Sequence, residues 1–272
     1  MESSLHLSEI FIYPIKSLGG ISLSEAFVEQ RGLQFDRRMM LVDEYGIFIT
    51  QRDFPQMALL KTRIADNHLF VIHSTFNQSI ILPTNPDDKT SSERIKVIIW
   101  NDACEAIKVS KEADEFFSDM IGIKCSLVYM PGEEFRLVDP ERKYVSENHP
   151  VSFADGYPFL IIGQSSLDEL NKRLENPLPI NRFRPNFVFT GGQAFEEDKW
   201  KDFLIGDIRF KAVKPCARCV ITTTDQQTAE RSDEPLRTLS TFRRNENKVL
   251  FGMNLITYYH GKVKVGDKII LL

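Results

Sequence analysis

Short runs of β-branched and aromatic residues recur through the first hundred residues, and they restrict the chain to a strand-dominated fold. The first run, LSEIFIYPIK at residues 7–16, precedes a turn at Gly19–Gly20. Residues 37–50 form two apolar runs around the polar segment 43–46, which predicts a hairpin. Further strands are predicted at residues 68–74, 78–84, 93–100 and, around a Gly-Asp turn, 262–272.

Helix signals are fewer, and they do not alternate regularly with the strands. Helices are predicted at residues 111–122, 165–177 and 235–244. In the second, Ser166 and Glu169 have the spacing of a capping box. In the third, Arg243 and Arg244 would lie near the C-terminal end, where the helix dipole favours cations. The sequence therefore predicts a β-rich α+β protein with short helices.

A polar, proline-containing segment at residues 129–150 separates two strand-rich regions. It predicts a domain boundary near residue 125, with one domain at residues 1–125 and a second at residues 126–272. The segment at 83–93 is also polar, and it predicts a loop without a fold of its own.

Composition and charge exclude several classes of function. With 34 basic and 38 acidic residues, the net charge of −4 predicts no general nucleic-acid-binding surface. The longest apolar runs fall well short of the roughly 18 residues that a membrane helix needs, so no membrane insertion is expected. The start, MESSLHLSEI, resembles no secretory signal, and the cysteines are too few for a disulfide framework. A cytoplasmic location is therefore expected.

The most informative short motif is KPCARCVITTTD at residues 214–225, a basic, proline-started turn that holds Cys216 and Cys219. A structural zinc site would need two more ligands, but Cys104 and Cys125 stand far apart in sequence. A thioredoxin-like pair would need a helix after the cysteines, whereas VITTT predicts a strand. Two thiols packed in a turn remain a third possibility.

Basic neighbours favour a functional thiol over a packed one. Lys214 and Arg218 flank the cysteines and would favour a thiolate. A thiolate is a good soft ligand for a metal whose other ligands come from an organic cofactor. An anionic cofactor would also need cationic and backbone donors elsewhere in the chain.

Three other stretches carry such groups. In RFRPNF, residues 182–187, a stiff proline turn holds arginines and an amide. In YPIKSLGG, residues 13–20, Lys16 and Ser17 follow a strand and precede glycines that would let backbone approach an anion. In SFADGYPFLII, residues 152–162, Asp155 lies in a turn before a buried strand, where it could equally serve as a turn cap.

Taken in order, these stretches resemble the family of MOSC proteins. YPIKSLGG and GLQFDRRMMLVDEYGIFITQR, residues 32–52, are similar to the family's N-terminal β-barrel domain. FADGYPFLIIGQSSLDELN, RFRPNFVFTG and the CxRC stretch around Cys219 are similar to the MOSC domain of amidoxime-reducing components and of YcbX-type proteins. The resemblance continues to residue 272. It implies an N-terminal β-barrel domain followed by a MOSC β-barrel domain with short peripheral helices.

The resemblance also implies roles for individual residues. Cys219, the second cysteine of CxRC, would be the protein ligand to molybdenum, and Cys216 receives no ligand role. Asp155 would lie close to the metal as a catalytic and cofactor-contacting residue. The implied cofactor is Mo-molybdopterin, and pyridoxal phosphate is not expected. The residues implied to bind this cofactor are Lys16, Ser17, Arg38 (favoured over Arg37 by ungapped counting), Arg184, Asn186 and Arg218.

The implied activity is reduction of a small N-hydroxylated substrate by a molybdenum oxidoreductase. YcbX-type chains carry an iron–sulfur domain with four cysteines, and this sequence shows no such set. A separate electron-donor protein is therefore expected. Two other functions stay open, a non-catalytic carrier or sulfur-transfer module for the cofactor, and a plain thiol or zinc protein.

Overall fold

The computed structural model describes residues 4–86, 93–138 and 143–272. In the first of these ranges, strands follow one another with short turns, as the alternating apolar pattern predicts. The strands are β1 (His6–Ile12), β2 (Ile21–Leu23), β3 (Glu25–Glu29), β4 (Gly32–Leu33), β5 (Met39–Val42), β6 (Leu60–Ala65), β7 (His68–His73) and β8 (Ser79–Pro83).

The remaining strands are separated by short α-helices, so the β-rich α+β prediction is confirmed. These strands are β9 (Arg94–Ile99), β10 (Asp102–Lys108), β11 (Ser126–Tyr129), β12 (Arg136–Leu137), β13 (Pro150–Val151), β14 (Phe159–Gly163), β15 (Phe187–Thr190), β16 (Asp202–Ile205), β17 (Ile208–Ala217), β18 (Arg244–Asn245), β19 (Lys248–Ile256), β20 (Gly261–Lys264) and β21 (Ile269–Leu271). The α-helices are α1 (Lys111–Ile121), α2 (Gln164–Asn171) and α3 (Leu236–Ser240).

The largest sheet joins the beginning of the chain to its second half. Its strand order is β2-β1-β15-β14-β19-β17-β16-β21, and β14 and β15 are parallel. β1 pairs with β15 in antiparallel register, with Ile10 opposite Phe187. Further along, β20 pairs with β3. The predicted boundary near residue 125 stays a prediction, and hydrogen bonds join strands from both sides of it.

A core rich in phenylalanine lies against this sheet and fixes its geometry. Phe159 stacks on Phe187 at 5.8 Å between ring centroids, and Phe210 meets the edges of both rings. All three residues are almost completely buried. Since closely packed aromatic rings tolerate little displacement, the ends of β1, β14 and β15 are held at fixed positions.

Most predicted elements are present, with local differences. Helix α1 matches the predicted helix at 111–122, and Gly122 follows its last residue in the left-handed conformation. The predicted 37–50 hairpin has β5 as one arm, but its second arm makes only isolated bridges such as Val42 to Phe48. The two strands predicted within 262–272 are present, although they pair with different partners. In the predicted 83–93 loop, residues 87–92 lie outside the described residues.

Two predictions about the second helix, its cap and its end, were wrong. Ser166 is not a helix cap, because α2 begins after Gly163 and the Ser166 hydroxyl instead donates to the buried carboxylate of Glu197 at 2.9 Å. Helix α2 also ends well before Pro177, since the Asn171 side chain bonds both backbone groups of Leu178 and turns the chain. The capping-box spacing was therefore coincidental.

The third predicted helix is shorter than expected. Helix α3 ends at Ser240, so Arg243 and Arg244 lie beyond it, and only the backbone N–H of Arg243 reaches back, to the Leu239 carbonyl at 2.7 Å. Arg243 instead forms an ion pair with Asp198 at 2.6 Å and donates to the Leu250 carbonyl. Arg244 begins β18.

The motif around the cysteines also folds differently from the prediction. Pro215 and Cys216 lie in the last part of β17 rather than in a turn. The segment after Cys219 is a short 3₁₀ helix, Val220–Thr223, and not a strand. Threonine hydroxyls explain the difference. The Thr222 hydroxyl donates to the Cys219 carbonyl, and the Thr223 hydroxyl donates to the Val220 carbonyl.

Candidate functional site

A polar pocket with a volume of about 130 Å³ opens where the end of β17 meets loops from both halves of the chain. One wall follows β1, and the other comes from the loops before β14 and β15. The side chains used below that line it are Lys16, Ser17, Arg37, Arg52, Asp155, Arg184, Asn186, Cys216, Arg218 and Cys219. The pocket therefore collects all but one of the residues predicted from the sequence.

Three pocket residues have strained backbones. Ser17, Arg37 and Arg184 have φ angles of 68°, 49° and 53°, in the left-handed region that glycine usually occupies. Each such residue costs on the order of 1 kcal/mol, so the surrounding structure must hold it in place. Conformations of this kind concentrate at functional sites, because there the position of a side chain outweighs local backbone preference.

Asp155 is the acidic group of the pocket, and three donors converge on it. Its carboxylate accepts hydrogen bonds from Lys16 Nζ at 2.5 Å and from Arg52 Nη2 at 3.3 Å. The indole nitrogen of Trp100 is also 3.3 Å away. Even so, 55% of the Asp155 side chain is exposed, so the carboxylate remains open to a ligand.

The charges around Asp155 decide its protonation state. Burial by itself would raise the pKa of the Asp155 carboxyl, but the cations of Lys16 and Arg52 outweigh it and hold the pKa well below its usual range. Burial lowers the pKa of Lys16 to about 8, although Asp155 opposes that shift. At neutral pH the pair is therefore an ionised carboxylate and an ammonium group that can release its proton near neutrality.

The RFRPN turn contributes the cation of Arg184 and the amide of Asn186 to the pocket. Arg184 donates to the Leu18 carbonyl at 2.7 Å and lies over the Tyr13 ring at 4.2 Å. Burial lowers the pKa of Arg184 to about 10. Asn186 accepts from Arg37 at 3.2 Å and donates to the Phe11 carbonyl at 3.1 Å, so its amide already holds protein groups.

Arg37, and not Arg38, reaches the pocket. The Arg37 guanidinium pairs with the buried Asp36 at 2.7 Å and lies over the Tyr13 ring at 4.3 Å. Arg38 instead donates to the Met130 carbonyl at 2.7 Å, toward a different cavity. The predicted cofactor contact of Arg38 therefore stays a prediction, and of the two arginines it is Arg37 that lines the pocket with Cys219.

The turn glycines pack closely against protein groups. A Cβ atom at Gly20 would lie 2.5 Å from the Tyr13 ring, and one at Gly19 would lie 3.1 Å from the Leu60 carbonyl oxygen. Neither glycine lines the pocket. The lack of a side chain therefore allows this close packing, and the approach of an anion to their backbone stays a prediction.

The two cysteines have different surroundings. Both are free and partly buried. Cys216 contacts Arg218, whose Nη1 lies 3.0 Å from its sulfur, and it packs against the apolar cluster around Phe183. Cys219 stands at the beginning of the 3₁₀ helix, at the pocket wall. The Arg218 Nε atom is buried without a hydrogen-bond partner.

The pocket has an excess of positive charge. Its lining includes a single carboxylate, that of Asp155, among the described residues. Its cations are Lys16, Arg37, Arg52, Arg184 and Arg218. Since clustered, partly desolvated cations repel one another, this arrangement favours an anionic ligand.

Comparison with known proteins shows the family of the chain. The MOSC N-terminal beta barrel domain matches residues 4–124, and the MOSC domain matches residues 148–270. The mitochondrial amidoxime reducing component 2 of Bos taurus is 31% identical over 97% of this chain and 82% of its own length. The chain belongs to the family of MOSC proteins.

The chain is also similar to two other proteins. The molybdenum cofactor sulfurase of Oryza sativa subsp. japonica is 29% identical over 93% of this MOSC chain, which covers 32% of that protein. Among solved structures, the YUAD protein of Bacillus subtilis covers 98% of the chain and 94% of its own, with 10% identity and a TM-score of 0.44.

Several site residues of this MOSC chain were not predicted individually. Arg52 and Trp100 both contact Asp155. Arg136 donates to the carbonyls of Ala154 and Asp155 and thereby fixes the loop that presents the carboxylate. Arg52 is the last residue of the 32–52 stretch, so the motif contained it, whereas the other two carry no local signal.

Two features are absent from the described parts of the chain. No group of three or more His, Cys, Asp or Glu side chains in the described ranges is arranged to hold a metal ion. Separately, no helix within the described parts of the chain is both long and apolar enough to cross a membrane.

Proposed function

We propose that this chain is a molybdenum-cofactor-dependent oxidoreductase that reduces N-hydroxylated compounds. The observation that carries the proposal is that the thiol of Cys219 lies at a pocket with five cations and one carboxylate. Relatives named as amidoxime-reducing components indicate the substrate class. The two electrons come from a separate donor protein.

The residues present fit a large anionic cofactor with a metal. The Cys219 thiolate is a soft ligand of the type that molybdenum–sulfur centres use. Arg184 and Arg218 offer guanidinium groups that suit a phosphate, and Lys16 and Ser17 extend the donor set along the same wall. When bound, the cofactor supplies two-electron redox chemistry at the metal.

The protein's own contribution is to bind the substrate and to supply protons. Reduction of an amidoxime, R–C(NH2)=N–OH + 2 e⁻ + 2 H⁺ → R–C(NH2)=NH + H2O, consumes two protons for each oxygen removed. Asp155 is ionised and accepts hydrogen bonds from the substrate's N–H groups. Lys16, with its pKa of about 8, is the nearby group suited to donate a proton.

The direct test combines metal analysis with turnover. Protein purified from a host that makes molybdenum cofactor is analysed for molybdenum and for the fluorescent pterin released by oxidation. The same preparation is then tested for benzamidoxime reduction with reduced methyl viologen. About one molybdenum per chain together with turnover supports the proposal, whereas zinc, or no pterin, contradicts it.

The sulfurase similarity favours a second candidate, a non-catalytic carrier or sulfur-transfer module for the same cofactor. The pocket would bind the cofactor in either case, so binding alone does not separate the two functions. The carrier predicts bound pterin without turnover, and transfer of the cofactor to an apo-enzyme. Turnover of an amidoxime with a chemical donor contradicts it.

A further inference from the structure

The hairpin between β9 and β10 has an unusual residue at its tip. Ile99 pairs with Asp102, so Trp100 and Asn101 form a two-residue loop. Trp100 has a φ of 56°, at a loop position where glycine or asparagine is normally found. A bulky aromatic residue in this conformation costs on the order of 1 kcal/mol. Turn formation therefore does not explain the tryptophan.

Packing does not explain it either. The guanidinium of Arg52 lies 4.5 Å from the centre of the indole ring, and the Phe48 ring lies 5.0 Å away at an angle of 58°. Even with these contacts, 46% of Trp100 remains exposed. Trp200, which does serve the core, is only 5% exposed. Trp100 is thus held in a strained conformation with much of its surface open.

The tip of this hairpin reaches the pocket from the N-terminal half of the chain. The Trp100 indole nitrogen donates to Asp155 Oδ1, the same oxygen that accepts from Lys16. Arg52 bridges the two sites, because it covers the indole and also pairs with the other carboxylate oxygen. The edge of the ring that carries the indole nitrogen therefore lies beside the only carboxylate among the described lining residues.

We infer that Trp100 determines substrate specificity, by stacking on a planar ring conjugated to the N-hydroxylated group while Asp155 accepts hydrogen bonds from that group. This inference rests on the proposed function. It predicts that the protein prefers aromatic amidoximes to aliphatic ones as substrates. An indole face stacks well on flat, electron-poor rings, and a carboxylate at its edge fixes the orientation of the attached N–H donors.

The first test compares benzamidoxime with acetamidoxime, which share the reacting group and differ in the ring. Cofactor-loaded wild-type protein is compared with Trp100→Asn, which removes the ring but suits the left-handed backbone, and with Trp100→Phe, which keeps an aromatic face. We expect the ratio of kcat/KM for the two substrates to fall roughly tenfold in Trp100→Asn and to recover largely in Trp100→Phe. Their ratio cancels any effect on Asp155 that both substrates share. An unchanged ratio in Trp100→Asn overturns the inference.

The second test does not depend on turnover. Trp100 and Trp200 are the two tryptophans of the chain, so the difference in emission between wild type and Trp100→Phe isolates Trp100. Titration of the cofactor-loaded protein with benzamidoxime should change this emission saturably, and acetamidoxime should not at equal concentration. An unchanged difference signal with benzamidoxime overturns the inference. If the signal changes but neither amidoxime turns over, stacking stands and the proposed activity fails.

Discussion

Two neighbouring arginines line two different cavities, and these cavities differ in both size and charge. Arg37 lines the polar pocket of about 130 Å³ that also contains Cys216 and Cys219, the thiol pocket. Arg38 enters a second cavity of about 730 Å³ on the other side of the backbone. The larger cavity has two cations and two carboxylates among its described lining residues, namely Glu29, Arg31, Arg38 and Glu133.

Charge balance favours the smaller of the two cavities for the proposed anion. In the larger cavity, Arg38 and Arg31 both lie within 4.0 Å of the Glu29 carboxylate, so positive charge is compensated inside the protein. In the thiol pocket, Asp155 pairs with Lys16 and Arg52, and Asp36 behind the wall pairs with Arg37. Arg184 and Arg218 have no carboxylate partner among the described residues. A binding site for an anion must leave some positive charge uncompensated until the ligand arrives.

The largest expected effect concerns the thiol itself. Replacing Cys219 with alanine should lower amidoxime reduction by more than about 100-fold, because the proposed metal ligand is lost. Activity with reduced methyl viologen and molybdenum content measure this effect.

Cys216→Ala is the matched control. Its sulfur contacts Arg218 and the apolar cluster, so we expect a reduction of at most about fivefold, in line with the loss of one weak hydrogen bond. Equal losses in the two variants would contradict the assignment of Cys219.

The next largest effect compares the two arginines directly. Arg37→Gln should weaken retention of the cofactor by about 10- to 100-fold, as expected for the loss of a charge-assisted hydrogen bond. Arg38→Gln should retain the cofactor, because its side chain faces the other cavity. Pterin release during dialysis measures both.

The buried Asp36 requires a stability control, since it loses its ion-pair partner in Arg37→Gln. Urea midpoints show whether that variant remains folded under the dialysis conditions. Greater loss of pterin from Arg38→Gln than from Arg37→Gln would reverse our conclusion about which cavity binds the anion.

A smaller effect concerns the pH dependence of turnover. If Lys16 donates the proton, the rate should fall as pH rises through about 8, where the ammonium group loses its proton. In Asp155→Asn this alkaline limb should move to lower pH, because the carboxylate that raises the pKa of Lys16 is gone. The profile of kcat/KM against pH measures the shift.

Lys16→Arg is the control for this prediction, since an arginine does not titrate in this range. The remaining activity of that variant should lack the limb near pH 8. An alkaline limb that stays in place in both variants would assign the proton transfer to another group.

The smallest effect concerns the strained backbone of the thiol pocket. Ser17→Gly should raise the free energy of unfolding by about 0.5–1 kcal/mol relative to Ser17→Ala, because glycine accepts a φ of 68° without strain. Urea unfolding of cofactor-free protein measures this. Equal stability of the two variants would show that the backbone at this position stores no strain.

The sequence by itself determined the β-rich fold, most element positions, and the set of stretches that form the site. Local patterns suffice for these, because strand alternation and the left-handed end of α1 depend on near neighbours. The order of the motifs indicated the family. Asp155, Lys16 and Arg184 were selected in this way, and the structure brings them together.

Tertiary structure alone decided the direction of side chains and the length of marginal helices. Arg37 lines one cavity and Arg38 another, and the hydroxyl of Ser166 donates to the buried carboxylate of Glu197 instead of capping a helix. Trp100 joined the site only because a hairpin from the first half of the chain reaches Asp155. Such outcomes depend on contacts between residues far apart in sequence, and no local pattern encodes them.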